Sequence, residues 1–506
     1  MSDMRAMIQR LGLFAGPVLA LLVYAFVPRE FTGPDGNLAE FATPGRITLS
    51  VMVWMAVWWL TEAVELSTTA LLPVTMLPVL GAVSIVDAAA PYAHRLIFLY
   101  IGGFTIALSM QRWGLDKRIA LTTLRMVGTK PANMIGGFMI ATAFLSAFIS
   151  NTATTAMMLP IGMSVVALLA GKTKGSSANF GVALMLAIAY SASMGGLSTL
   201  VGTPPNAFLA SFVENSIAEP YRMEMSFAKW LMFGVPVTLC MLPLIWLLLT
   251  RWLYPVNDMQ IEGGSELINQ EYRGLGPMKW GERVTLVVFA CTGLGWILRP
   301  FLKGVTFQLG SSELTPFATL GDPSIAMIAA IVLFIVPARS EKRDNVMNWD
   351  TALKMPWDIL ILFGGGMSLA AAVKATGVAE FIGAQAGYLS GVPTIVLILM
   401  VVTAVILLTE LTSNLATTAT LLPVLAALAP GLGVHPYLLI FTATMAASCA
   451  FMMPVATPPN AIVFGSRLVT IPQMVKAGIW LNLAGIVVIT TLAWFLLEPV
   501  TGIKIK

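Results

Sequence analysis

Long stretches without a single Lys, Arg, Asp or Glu recur along this chain and limit what it can fold into. A helix needs roughly 20 apolar residues to cross the hydrocarbon core of a bilayer. Of the 506 residues, 57% are apolar and 11% are charged, whereas a soluble domain has about 25% charged residues. The sequence therefore predicts an all-α polytopic membrane protein.

Eleven of the apolar stretches are predicted to be single membrane-spanning helices. They are residues 11–28, 47–61, 66–86, 96–111, 180–200, 230–250, 284–298, 323–338, 357–373, 437–455 and 477–497. With the N-terminus in the cytoplasm and the C-terminus outside, the inward loops carry more Lys and Arg than the outward ones, as the positive-inside rule requires. We expect a plasma membrane protein in contact with lipid. The net charge of +4 is explained by these loops and does not indicate nucleic-acid binding.

Two further segments are too long for one span. Residues 131–170 contain no charged side chain, and residues 391–430 contain only Glu410. Each segment is predicted to be a helical hairpin. The charge pattern leaves open whether a hairpin crosses twice or enters and returns from one side, because both arrangements leave its ends on the same face.

An internal repeat relates the two halves of the chain. SNTATTAMMLP at 150–160 matches SNLATTATLLP at 413–423 in 8 of 11 positions. GTPPNA at 202–207 likewise matches ATPPNA at 456–461, and the glycine pair 102–103 matches 365–366. Three matches in the same order indicate a duplication. The predicted spans give the repeats opposite orientations, as in transporters that bind substrate between inverted repeats.

The repeated motifs place polar groups where hydrocarbon would otherwise surround them, so they must be satisfied by protein, water or ligand. The helices that follow each Ser-Asn motif would direct N–H groups toward an anion, and the carbonyls before it suit a small cation. The prolines predict unwound segments at 202–206 and 456–460. Ser and Thr can also serve only to hold helices together, but recurrence of both motifs in both halves favours a ligand site.

Four carboxylates lie inside or beside apolar stretches, where charge is costly and a functional role is the default hypothesis. They are Glu62, Glu65, Asp358 and Glu410. For Glu410, three residues before Ser413, a structural hydrogen-bonding role and a role in an ion pathway both remain open.

The chain resembles the divalent anion/sodium symporter family over nearly its whole length. The likeness rests on the hairpin motifs together with WWLTE at 58–62, TALLP at 69–73, GGF at 102–104 and WGL at 113–115. It implies a homodimer of eleven-span protomers with two re-entrant hairpins, which work by elevator-type alternating access. The implied parts are a scaffold with dimer contacts at 1–95, a first repeat at 96–250, a cytoplasmic linker at 251–283, scaffold helices at 284–356 and a second repeat at 357–506.

The resemblance also implies a set of binding residues. The first sodium site would comprise Ser146, Ser150, Asn151 and Gly202, and the second Thr409, Thr412, Asn414 and Ala456. The anion would contact Asn151, Thr152, Thr203, Pro204, Ser413, Asn414, Thr457 and Pro458. Two positions depart from the family pattern: Leu415 replaces a hydroxyl residue, and Glu65 stands where relatives have an apolar residue or proline.

These features predict sodium-coupled symport of a C4-dicarboxylate such as succinate, malate or fumarate. Neither hairpin tip contains Lys or Arg, so sodium ions and helix dipoles would have to neutralise the anion. Sodium-coupled citrate or sulfate transport and sodium-independent dicarboxylate exchange are the alternatives. A membrane-embedded enzyme is disfavoured because no nucleophile with a base and no metal-ligand spacing occurs. No organic cofactor is expected.

Overall fold

Helices make up most of the computed structural model, which describes residues 2–32, 38–128, 130–169, 176–217, 219, 221–256, 263–309, 312–315, 317–339, 344–386 and 391–502. The first half contains α1 (Ser2–Phe26), α2 (Thr43–Thr61), α3 (Leu66–Thr69), α4 (Leu72–Val79), α5 (Ile85–Ala89), α6 (Arg95–Trp113), α7 (Leu115–Val127), α8 (Pro131–Ser146), α9 (Asn151–Leu169), α10 (Ser176–Ser198), α11 (Pro204–Asn215) and α12 (Phe227–Leu247). The second half contains α13 (Gly264–Gly274), α14 (Trp280–Leu302), α15 (Asp322–Ile335), α16 (Trp349–Ala352), α17 (Trp357–Ala375), α18 (Val378–Ala386), α19 (Thr394–Thr409), α20 (Asn414–Gly431), α21 (Pro436–Ala447), α22 (Pro458–Gly465) and α23 (Ile471–Thr501).

Smaller elements complete the chain. A 3₁₀ helix spans Ala90–Ala93 and a π-helix spans Leu248–Leu253. Strands β1 (Glu30–Thr32) and β2 (Leu38–Glu40) pair antiparallel, as do β3 (Phe307–Leu309) and β4 (Ser312–Leu314). Residue 170 of the first predicted hairpin, residues 257–262 of the predicted linker and residues 503–506 lie outside the described residues.

Within the described residues, nine helical segments are long and apolar enough to cross a membrane, which identifies a polytopic helical membrane fold. They are Ala6–Phe26, Ile85–Trp113, Asn151–Leu168, Ala178–Ser198, Phe227–Leu253, Trp280–Leu302, Trp357–Ala375, Asn414–Gly431 and Ile471–Thr501. Four of the eleven predicted spans are not among them. Residues 47–61 lie in α2, residues 66–86 are divided among α3, α4 and α5, and the short helices α15 and α21 overlap 323–338 and 437–455.

The helices of α6–α12 and of α17–α23 follow one another in the same order. Each set has a long helix, a shorter one, two helices joined by a short turn, a helix ending in a break, a short helix and a long final helix. The turns are 147–150 and 410–413, where the Ser-Asn motifs lie. The repeat found in the sequence is therefore also a repeat of secondary structure.

The two breaks begin earlier in the chain than the sequence predicted. They cover residues 199–203 and 448–457 instead of 202–206 and 456–460. Both following helices already include the Pro-Pro-Asn of the motif. The reason is that proline is well tolerated in the first helical turn, where its missing N–H has no partner to lose. The prolines thus start α11 and α22 rather than lying in the unwound chain.

Helices α12 and α23, which follow the short helices α11 and α22, each carry a glycine that allows close packing at or beside the break. A Cβ atom at Gly234 of α12 would lie 2.6 Å from the carbonyl oxygens of Leu197 and Ser198. A Cβ atom at Gly478 of α23 would lie 2.5 Å from Met452 Cα. Since real Cβ atoms do not approach backbone this closely, both contacts require glycine, which brings α12 against the end of α10 and α23 against the second break.

Candidate functional site

A cavity of about 1000 Å³ lies where the two hairpin turns and the two helix breaks meet. All eight residues predicted to contact an anion line it: Asn151, Thr152, Thr203, Pro204, Ser413, Asn414, Thr457 and Pro458. These residues are separated by up to about 300 positions in the chain, and the fold brings them together.

Four helix N-termini border this cavity. Helix α9 begins at Asn151, α20 at Asn414, α11 at Pro204 and α22 at Pro458, and all four residues line the cavity. The first N–H groups of a helix lack intrahelical partners and carry a partial positive charge. In α9 and α20 such N–H groups can face an anion, whereas α11 and α22 begin with two prolines, which have no N–H, and contribute only through their helix dipoles.

The first hairpin builds a cluster of oxygen atoms beside the cavity. Ser146 Oγ lies 2.6 Å from Asn151 Oδ1 and 2.7 Å from the carbonyl oxygen of Ala192. Ser146 is fully buried at the end of α8, and Asn151 starts α9. A hydroxyl, an amide oxygen and a carbonyl oxygen thus converge where the two arms of the hairpin meet.

The second hairpin builds the same cluster from a different hydroxyl residue. Thr409 Oγ1 lies 2.8 Å from Asn414 Oδ1 and 2.8 Å from the carbonyl oxygen of Ala447. Such groups at the ends of broken helices are the ligands that sodium finds in transporters. Among the described residues, no group of three or more His, Cys, Asp or Glu could hold a metal. The two oxygen clusters are therefore the best candidates for cation sites.

The other residues of the predicted sodium sites divide into two groups. Ser150, Gly202 and Ala456 line the cavity with the two asparagines. Thr412 does not, because its hydroxyl lies 2.9 Å from the carbonyl oxygen of Leu408 and 2.7 Å from Thr417 Oγ1. Its side chain thus joins the two arms of the second hairpin instead of reaching Asn414.

The asparagines of the Thr-Pro-Pro-Asn motifs hold the breaks in place, a role the sequence did not predict. Asn206 Nδ2 donates to the carbonyl oxygens of Gly196, at 3.1 Å, and Thr199, at 2.7 Å. Asn460 Nδ2 makes the matching bonds to Ala450 and Met453, both at 3.1 Å. The bonds occur at the same sequence separations in both halves. The recurrence of Asn in both motifs is therefore the sequence signal from which this structural role could have been predicted.

Acidic side chains also line the cavity. Glu62, at the end of α2, Glu65, before α3, and Asp358, in the first turn of α17, are all lining residues, whereas Glu410 is not. No Lys, Arg or His of the described chain lines the cavity. The described lining residues therefore offer an entering anion no basic side chain as a partner.

The two hairpin tips present different side chains to the cavity. Thr152 is exposed there, while the matching Leu415 lines the same cavity with only 7% of its surface exposed. A hydroxyl that can hydrogen-bond an anion is thus present on the first tip and absent at the matching position of the second.

Together, the fold and the site define a polytopic membrane transport protein whose polar site is built from both repeats. The sequence matches the family model described as the sodium:sulfate symporter transmembrane region over residues 20–500, and the chain belongs to this family. The resemblance to divalent anion/sodium symporters is thereby confirmed, and the membrane-enzyme alternative is removed because the family is one of transporters.

Curated relatives match over almost the full chain. One, named sodium-dependent dicarboxylate transporter SdcS, from Staphylococcus saprophyticus, is 41% identical over 505 residues, covering 98% of this chain and 93% of the relative. Proteins of the same name from Staphylococcus aureus are 38% identical over 504 residues, with the same coverage.

Two solved transporter structures share the fold at low sequence identity. The YdaH transporter of Alcanivorax borkumensis superposes with a TM-score of 0.57 at 16% identity, covering 97% of this chain and 96% of that one. MtrF of Neisseria gonorrhoeae gives a TM-score of 0.58 at 13% identity, with coverages of 98% and 95%. These similarities establish the fold alone.

Proposed function

We propose that this protein is a secondary active transporter that couples the movement of a C4-dicarboxylate, such as succinate, malate or fumarate, to sodium. The observation that carries the proposal is the cavity between the repeats, where eight predicted anion contacts and two oxygen clusters lie together. The relatives named sodium-dependent dicarboxylate transporters support this choice of substrate and ion.

Sodium coupling follows from the charges of the cavity. A dicarboxylate with two negative charges would face Glu62, Glu65 and Asp358 and no basic lining residue in the described chain. Removing such charges from water is costly unless opposite charges accompany them. Sodium bound at the oxygen clusters around Asn151 and Asn414 supplies those charges. A sodium-independent exchanger would need a basic side chain in their place.

The membrane arrangement that we propose has eleven spans and two re-entrant hairpins in a homodimer. The N-terminus is cytoplasmic and the C-terminus outside, in the plasma membrane. The pairs α8–α9 and α19–α20 support re-entry because their connecting turns line the cavity between the halves. The transport part, 96–250 and 357–506, then moves in elevator fashion against the scaffold formed by 1–95 and 284–356.

The substrate is tested by competition in proteoliposomes. With an inward sodium gradient, we expect unlabelled succinate, malate and fumarate to inhibit uptake of labelled succinate at lower concentrations than citrate or sulfate do. A C4-dicarboxylate has one carboxylate at each end, and helix N-termini from both repeats border the cavity. Direct uptake of labelled sulfate or citrate with no succinate uptake would contradict the proposed substrate.

Asymmetric recognition is expected from the mismatch between Thr152 and Leu415. A neutral hydrogen bond contributes about 0.5–1.5 kcal/mol, which corresponds to roughly 2- to 13-fold in affinity. Thr152→Val should therefore raise the succinate KM by about that factor, and Leu415→Thr should lower it or broaden the inhibitor profile. An unchanged profile in Leu415→Thr, together with a weakened one in Thr152→Val, would mean that the second motif contacts sodium but not substrate.

A further inference from the structure

Glu410 is a buried carboxylate that the proposed binding contacts leave without a role. It directly follows Thr409 in the turn between α19 and α20, and only 4% of it is exposed. Burying a carboxylate is costly unless hydrogen-bond donors surround it. The groups that donate hydrogen bonds to Glu410 therefore indicate its role.

Three consecutive backbone N–H groups of the unwound segment between α21 and α22 point at this carboxylate. Oε1 accepts from Phe451 N at 2.8 Å and Met452 N at 2.9 Å. Oε2 accepts from Met452 N at 3.0 Å and Met453 N at 3.1 Å. Asn482 Nδ2 of α23 completes the set, 2.8 Å from Oε1. Hydrogen bonds to a charged acceptor are about twice as strong as neutral ones, so the carboxylate holds this backbone firmly.

The first repeat holds its break without a charge. Ala147 occupies the position that matches Glu410 in the alignment of the hairpin motifs. There Thr199 Oγ1 donates to the carbonyl oxygen of Ala147 and accepts from Gly202 N at 3.1 Å. The second break is longer than the first, because α21 ends farther before the Pro-Pro pair of its own repeat than α10 does. The longer break leaves three consecutive backbone N–H groups, and the two oxygens of the Glu410 carboxylate accept from all of them.

The braced segment leads directly into the second cation site. Ala456 N donates to the carbonyl oxygen of Met453 at 3.2 Å, and Asn460 Nδ2 donates to the same oxygen at 3.1 Å. Holding Met453 therefore fixes Ala456, one of the residues expected to bind sodium. Thr409, whose hydroxyl belongs to the oxygen cluster, is the chain neighbour of Glu410 on the other side.

We propose that Glu410 is a positioning residue for the second sodium: its carboxylate fixes the unwound backbone that carries Ala456 and places a negative charge beside that site. This inference rests on the proposed sodium-coupled transport. It also gives a function to one difference between the repeats, because the first repeat has Ala147 where the second has Glu410.

The test compares Glu410→Gln with Glu410→Asp and with the matched control Asn482→Ala, which removes one donor but leaves the carboxylate on the backbone. Glutamine has about the same size as glutamate but no charge, and its amide directs an N–H donor at the backbone N–H groups. We expect the sodium concentration for half-maximal succinate uptake to rise at least about tenfold in Glu410→Gln. The succinate KM at saturating sodium should change less than about threefold, because the anion contacts remain.

Glu410→Asp should lie closer to wild type than Glu410→Gln, and Asn482→Ala, which keeps the charge and the bonds to the backbone, should raise the sodium concentration for half-maximal uptake less than Glu410→Gln does. A wild-type sodium curve in Glu410→Gln would overturn the proposal. So would an equal loss of sodium and succinate affinity, which is the mark of a purely structural role, or an Asn482→Ala effect as large as that of Glu410→Gln.

Thermal unfolding of each purified variant at increasing sodium gives a second measurement that needs no transport. The sodium concentration for half-maximal stabilisation should shift upward in Glu410→Gln by the same factor as in uptake. If wild-type protein showed no sodium-driven uptake, the proposed function would fail, yet the thermal comparison would still decide the role of Glu410. An unshifted thermal curve would contradict that role directly.

Discussion

Replacing either hairpin asparagine, in Asn151→Ala or Asn414→Ala, is expected to abolish sodium-driven succinate uptake while the protein still assembles and purifies normally. Each amide oxygen belongs to an oxygen cluster, 2.6 Å from Ser146 Oγ in the first half and 2.8 Å from Thr409 Oγ1 in the second. Each asparagine also lies at a helix N-terminus in the cavity. One substitution therefore removes a cation ligand and an anion contact together.

The expected magnitude follows from the charge of the ligands. A hydrogen bond or contact to a charged group contributes about 1.5–3 kcal/mol, or roughly 10- to 150-fold in affinity, and two ligands are affected. Ser164→Ala is the control, because Ser164 lies on the same helix as Asn151 and its exposed hydroxyl donates to the carbonyl oxygen of Pro160 on that helix. Wild-type uptake in either asparagine variant would exclude that residue from the site.

Gly478→Ala is expected to damage both stability and transport, although Gly478 is not among the described residues that line the cavity. A Cβ atom there would lie 2.5 Å from Met452 Cα and 2.6 Å from Met452 N, in the backbone that Glu410 holds. Overpacking of a tight contact costs about 1–3 kcal/mol, and here the displaced atoms belong to the segment leading to Ala456. We expect a lower unfolding temperature and weak uptake.

Gly485→Ala on the same helix provides the matched control. Its added Cβ would meet its nearest neighbour, Cys449 Sγ, at 3.6 Å, which is an ordinary contact. Thermal unfolding followed by size-exclusion chromatography, with uptake measured in parallel, compares the two variants. Equal behaviour of Gly478→Ala and Gly485→Ala would mean that the close packing of α23 on the second break is not needed.

The binding site could be predicted from the sequence where a short motif is energetically costly to place in apolar surroundings. Ser-Asn and Thr-Pro-Pro-Asn are polar or helix-breaking groups in apolar surroundings, and their recurrence in both halves is enough to predict a shared site. All eight proposed anion contacts indeed line one cavity. The position of the breaks was less predictable, because proline starts a helix as readily as it ends one.

The contacts that depend on the tertiary fold could not be predicted from the sequence. Glu410 and Met452 are distant in the chain, and no sequence pattern pairs this carboxylate with that backbone. The place of Glu65 in the cavity wall likewise depends on how α2 and α3 pack against the repeats. The family resemblance implies that Thr412 binds sodium, because of its place in the motif. In the structure the Thr412 hydroxyl is hydrogen-bonded to the carbonyl oxygen of Leu408 and to the hydroxyl of Thr417.

The central claim is that sodium held by both hairpins neutralises an anion in a cavity without basic side chains. It is tested most directly by uptake of labelled succinate into proteoliposomes under an inward sodium gradient or an equal potassium gradient. We expect concentrative uptake with sodium and only background uptake with potassium. Equal uptake in potassium, stimulated by dicarboxylate inside the vesicles, would contradict it and indicate a sodium-independent exchanger.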